Sequence, residues 1–101
     1  MTTPMTMNFQ SFKASVADAQ PPSYLPAILL ALWHAAKGEW EKAHELSQAD
    51  ESAAGSWVHA YLHRVEGDNS NAAYWYRRAG EPVCQLSLED EWEQIAEALT
   101  A

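Results

Sequence analysis

Ala31-Leu32-Trp33-His34-Ala35-Ala36-Lys37-Gly38-Glu39 and Ala60-Tyr61-Leu62-His63-Arg64-Val65-Glu66-Gly67-Asp68 are the stretches whose comparison decides the fold. Each has Ala seven residues before its glycine, His four before it, an acid directly after it, and Ala five after it, at Ala43 and Ala72. Gly38 and Gly67 are 29 residues apart. An echo at fixed spacing on this scale marks a supersecondary unit used twice. The glycines stand where a helix C-terminus favours a residue able to turn left-handed. The pattern predicts two pairs of helices, joined at Gly38 and at Gly67.

The helical period continues on either side of these stretches. Asn8 is placed to cap a first helix over about residues 9–18, with Phe9, Phe12 and Val16 spaced three and four apart. Pro21-Pro22 stops it, and Ser23 is placed to cap a second helix over about 24–37. That helix is apolar nearly all round, through Leu25, Ile28, Leu29, Leu30, Leu32 and Trp33, which predicts a central position. A third helix, about 40–49, offers Trp40, Ala43 and Leu46 to the core. Residues 50–55 read as the loosest connection before a fourth helix at about 56–66. Asp68 or Asn69 caps a fifth helix that runs to Ala79, with Ala72, Trp75, Tyr76 and Ala79 on one stripe, and Gly80 and Pro82 end it. Ser87, followed by Asp90, opens a last helix with Leu88, Trp92, Ile95, Ala96 and Leu99 on one face. No alternating apolar run bounded by turns occurs, so no strand is expected.

Two helices joined at a glycine, with a small residue seven before it and Ala five after, resembles the tetratricopeptide repeat. Ala31, Gly38 and Ala43 carry the likeness in the first copy; Ala60, Gly67, Ala72, Tyr76, Ala79 and Pro82 carry it in the second. The period departs from the family's length of about 34. The tyrosine usual four residues before the glycine is replaced by His34 and His63. The likeness implies an all-α, six-helix bundle: two tetratricopeptide-like helical hairpins, about residues 24–50 and 55–82, with capping N- and C-terminal helices in a single domain over 1–101. Caps are required because such arrays usually need about three repeats. The second copy also looks like small bacterial proteins without an assigned activity, which adds no chemistry.

Composition narrows the partners. With 14 acids against 6 bases the net charge is −8, which repels nucleic acid and anionic membranes. Hydrophobic residues at 48% and five Trp argue for a folded chain. Cys84 is the one cysteine, so no intrachain disulfide forms and a reducing compartment fits. The first Lys is Lys13, so the start lacks the basic n-region of a signal peptide. The longest apolar stretch, Leu25 to Trp33, contains Pro26 and is far below the ~20 residues that span a bilayer. A soluble, cytoplasmic protein is expected. Apolar faces left on the capping helices would let two copies pair as a homodimer.

Chemistry concentrates in the fourth and fifth helices. Arg64, Arg77 and Arg78 are half of all the bases. Arg64 with one of the others would form a fork for a carboxylate or phosphate, flanked by Trp57, Tyr61 and Tyr74. By the repeat analogy, Trp57, Tyr61 and Arg64 face the groove, beside Ile28, Leu32 and Ala35. The expected function is therefore a binding module for a protein, peptide carboxylate or small anion, without a cofactor and without an enzyme's constellation. The structural roles of the same arginines are helix-dipole complementation by Arg77 and Arg78, and pairing of Arg64 with Asp68.

The alternative reading is a small enzyme or metal-binding protein. His59 and His63 sit at i, i+4 on one helical arc with Glu66, a spacing that zinc sites use. The residues between them are Ala-Tyr-Leu, without the glutamate of the metalloprotease motif. Completing a site needs a further ligand from His34, His44 or Asp68. No glycine-rich elbow, phosphate loop or dinucleotide fingerprint occurs, and Asp68 is better placed to cap a helix than to pair with Glu66.

Overall fold

A side-chain cap opens most of the helices of this all-α chain. In the computed structural model, which describes residues 8–100, the elements are α1 (Phe9–Ser15), α2 (Ala27–Ala36), α3 (Trp40–Gln48), α4 (Ala53–Val65), α5 (Asn69–Ala79) and α6 (Leu88–Leu99). Asn8 accepts from the Ser11 amide, Ser52 from Gly55, Asp68 from Asn71 and Ser87 from Asp90. Each bond satisfies one of the free amides at a helix start. None of these helices is long and apolar enough to cross a membrane.

Gly38 and Gly67 turn the chain in the same way. Their φ values are 80° and 85°, and each donates its amide three residues back, to Ala35 and to Arg64. The following acids, Glu39 and Asp68, return their amides to the carbonyls of His34 and His63 at 2.9 Å. The residue pattern read from the sequence thus corresponds to one turn geometry made twice. α2 packs on α3 across the first turn and α4 on α5 across the second.

Two helix starts differ from the sequence reading. α2 opens at Ala27, not near residue 24, with Pro26 as its N-cap. The proline ring disfavours helical backbone at Leu25, so Ser23 cannot cap this helix. α4 opens at Ala53, inside the stretch read as loop, because Ser52 caps it and Ala53-Ala54 favours helix.

The centre also differs. α4, not α2, holds it, packing against α2, α3, α5 and α6. Small residues explain the exchange: Gly55, Ser56 and Ala60 are buried along α4 and admit neighbours on several sides. On one side lie Phe12, Leu29, Leu32, Trp33, Val58, Leu62, Trp92 and Ile95; on the other, a smaller cluster of Ala60, Ala72 and Tyr76. α1 and α6 close the first cluster through the stacked rings of Phe12 and Trp92, with centroids 5.6 Å apart. The Trp92 indole N–H, buried among these residues, donates to the Leu32 carbonyl at 2.9 Å.

Candidate metal centre

His59 and His63 lie one turn apart on α4 with their rings stacked, centroids 4.8 Å apart. α3 brings a third imidazole, His44, whose Nε2 is 3.0 Å from Nε2 of His59. One nitrogen from each of the three rings falls within 4.8 Å of the other two. His59 is 4% exposed and His63 is 7% exposed, whereas His44 is half-buried. Tryptophans wall the group: Trp40 stacks on His44 with centroids 4.7 Å apart, and Trp75 of α5 stacks on His59 at 3.9 Å. Trp40 is itself fixed, since its indole N–H donates to the Leu62 carbonyl at 2.7 Å.

Burial favours the neutral form of His59 and His44. Burial, followed by the neighbouring His44 and His63, pushes His59 down to about 4. Burial and His63 lower His44 as well, opposed by Glu66 and Glu45. A neutral imidazole has one nitrogen with a free lone pair, the form that ligates metals. Nδ1 of His59 is buried with no hydrogen-bond partner among the described residues. Zinc–nitrogen bonds of about 2.0–2.1 Å at tetrahedral angles put ligand nitrogens about 3.3 Å apart. The His44–His59 pair, at 3.0 Å, is close to that spacing. Three nitrogens without a thiolate suit zinc, copper(II), nickel or cobalt; magnesium and calcium prefer oxygen.

His34 stands apart from this group. It is one of the completing ligands the sequence offers, with His44 and Asp68, but its Nδ1 pairs with Glu39 Oε1 at 2.6 Å and its ring lies edge-on to Trp33. His44 takes the third place, because α3 packs on α4, while His34 in the last turn of α2 is held by Glu39. Its signal was present in sequence as Trp40 and His44 at i, i+4, aligned on one stripe of a short helix.

The arginines divide between two places. Arg64 donates from Nη1 to Glu91 Oε1 at 2.8 Å and from Nη2 to the Leu86 carbonyl. Glu91 is fully buried and also accepts from the Tyr76 hydroxyl. Burial and Glu91 push the Tyr76 phenol well above the usual tyrosine range. Asp68, the expected partner of Arg64, caps α5 instead. Arg77 and Arg78 are exposed in the last turn of α5. Arg78 lies 5.2 Å from the Trp75 ring centroid and donates to the Tyr74 hydroxyl at 3.2 Å. Tyr74 and Arg78 therefore meet, while Arg64 is turned toward α6.

Trp57 is half-buried between the two core clusters. Tyr61 lines a groove of about 620 Å³ with Lys13, Val16, Ala35, Trp92 and Glu93. Burial and then Glu91 push its phenol up to about 12. Glu91 is one of five acids in the last helix, with Glu89, Asp90, Glu93 and Glu97. Its spacing, three after Leu88 and four before Ile95, would have placed it on the apolar stripe. No family model, curated protein or solved structure matches this chain.

Proposed function

We propose that this chain is a helical metal-binding protein in which His44, His59 and His63 hold one transition-metal ion. The carrying observation is that three imidazoles from two helices converge within 4.8 Å, two of them buried. The packing of Trp40 on His44 and of Trp75 on His59 supports it, because these walls hold the rings together. The all-nitrogen donor set favours zinc, copper(II), nickel or cobalt. In this reading the two hairpins are tetratricopeptide-like units, supported by the matching turns at Gly38 and Gly67, and their packing brings α3 onto α4 to assemble the ligands.

Titration of metal-stripped protein with cobalt(II) and zinc tests the proposal. One equivalent should bind with nitrogen-dominated cobalt absorption, and His44→Ala and His59→Ala should each abolish the tight site. Binding that survives both substitutions, or no binding in the unaltered protein, sinks the reading.

A second reading is favoured by a separate observation. Arg77 and Arg78 are exposed, and Arg78 rests on Trp75 and Tyr74, so its guanidinium is preorganised for a carboxylate or small anion. Phosphate or sulfate should then raise the melting temperature, and Arg78→Ala should remove the rise. An unchanged melting temperature excludes it.

A further inference from the structure

The structure assigns to Glu66 the task of positioning His63: we propose that its carboxylate orients the ring and fixes which nitrogen faces the metal. This rests on the metal-binding reading above. Nδ1 of His63 donates to Glu66 Oε1 at 2.7 Å, which puts the proton on Nδ1 and leaves Nε2 as the nitrogen with the free lone pair. Ligating histidines characteristically give their other N–H to a carboxylate, which fixes the tautomer and makes the ligating nitrogen more basic.

The backbone explains how the acid reaches back. Glu66 is the C-cap of α4, its amide bonded to the Leu62 carbonyl at 3.2 Å. Gly67 then leaves in the left-handed conformation, so the Glu66 side chain stays beside the last turn, three residues from His63. Two neighbouring pairs sharpen the assignment. Asp68 also lies within ligand distance of His63 and Glu66, but it accepts from the Asn71 amide at 3.2 Å and caps α5. His34 and Glu39 make a similar contact at 2.6 Å away from the three-histidine group, and so provide an internal control.

The test compares metal-stripped wild type, Glu66→Gln, Glu66→Ala and Glu39→Ala, each titrated with zinc against a chromophoric chelator and with cobalt(II) by absorption. Glu66→Ala should weaken zinc about 10–100-fold while one ion still binds per chain. Glu66→Gln, whose amide oxygen can still accept the Nδ1 proton, should recover part of that loss. Glu39→Ala should bind like wild type, and melting of all four metal-free proteins should stay close together, since Glu66 is exposed. Unchanged affinity in Glu66→Ala overturns the assignment. So does a second ion in wild type that Glu66→Ala removes, because Glu66 would then be a ligand itself. Absence of zinc and cobalt binding in wild type is a different failure: it removes the metal reading and this role with it.

Discussion

Nε2 of His44 and Nε2 of His59 lie 3.0 Å apart, a hydrogen-bonding distance that requires one of the two to carry the proton. With the proton on Nε2 of His59, only a lone pair is left buried at its Nδ1; the reverse arrangement buries an unpartnered N–H. Protonating both rings would remove the acceptor and set two cations against each other, with ring centroids 4.6 Å apart, between tryptophans. The pair is therefore built to remain neutral.

A pH dependence of stability follows. His59 is held at about 4 in the folded protein against 6.5 in the unfolded chain. Between those values the unfolded state binds more protons, so stability is fully present above about 6.5 and falls as the pH drops toward 4. The loss is on the order of 3 kcal/mol at the low end. His44 shifts in the same direction. Denaturant melts of metal-free protein should show it, and His59→Gln should flatten the difference between pH 7 and pH 4.5. Equal slopes in both proteins would mean that the pair is not the source.

The buried carboxylate of Glu91 predicts an asymmetry. Arg64→Ala leaves that charge uncompensated and should cost about 3–5 kcal/mol. Glu91→Gln should cost less, because Arg64 is 20% exposed in its side chain and keeps both water and the Leu86 carbonyl. The double substitution should cost less than the sum of the two, since they share one network. Urea unfolding of the three variants checks this; simple additivity would contradict it.

Helix number, helix type and both glycine turns were legible in the sequence because periodicity and capping act locally. The position of α4 at the centre was not, since Leu-rich α2 is the more apolar helix and only packing shows that Gly55, Ser56 and Ala60 admit neighbours. The histidine group was half legible. His59 and His63 share a face by spacing alone, whereas His44 joins them only through the packing of α3 on α4, a long-range contact. Glu91 hid among the other acids of its helix, although Leu88 and Ile95 flank it at helical spacing.

Packing around Ala60 offers a test of the α4–α5 contact. Ala60 is fully buried and Ala72 is 2% exposed, next to Tyr76. Ala60→Leu should overpack this contact and destabilise by roughly 1–3 kcal/mol. A neutral result in denaturant melts would show that the two helices have room to separate.

Two glycines should respond differently to the same change. A Cβ on Gly55 would lie 2.0 Å from the Asp50 carbonyl oxygen, so Gly55→Ala must move the start of α4. A Cβ on Gly67 meets nothing within 4 Å among the described residues, and its φ of +85° is what opposes substitution, at roughly 1–2 kcal/mol. Thermal melts should rank Gly55→Ala below Gly67→Ala. The reverse order would mean that Asp50 yields freely.

Metal binding should be visible in stability and in fluorescence at once. An ion held by His44 on α3 and by His59 and His63 on α4 favours the native state by mass action, by about 2.7 kcal/mol at a hundredfold excess over the dissociation constant. For a chain of this size that corresponds to a rise in melting temperature of roughly 10–20 °C. Trp40 and Trp75 stack directly on two of the three rings, so copper(II) in this position should quench their emission. Trp75→Phe should reduce the quenched fraction yet keep most of the thermal rise, because the indole is a wall and not a ligand. His44→Ala should remove both signals, since it unties α3 from the ion. Quenching without stabilisation would identify copper bound elsewhere on the acidic surface, and the three-histidine centre would then lose its support.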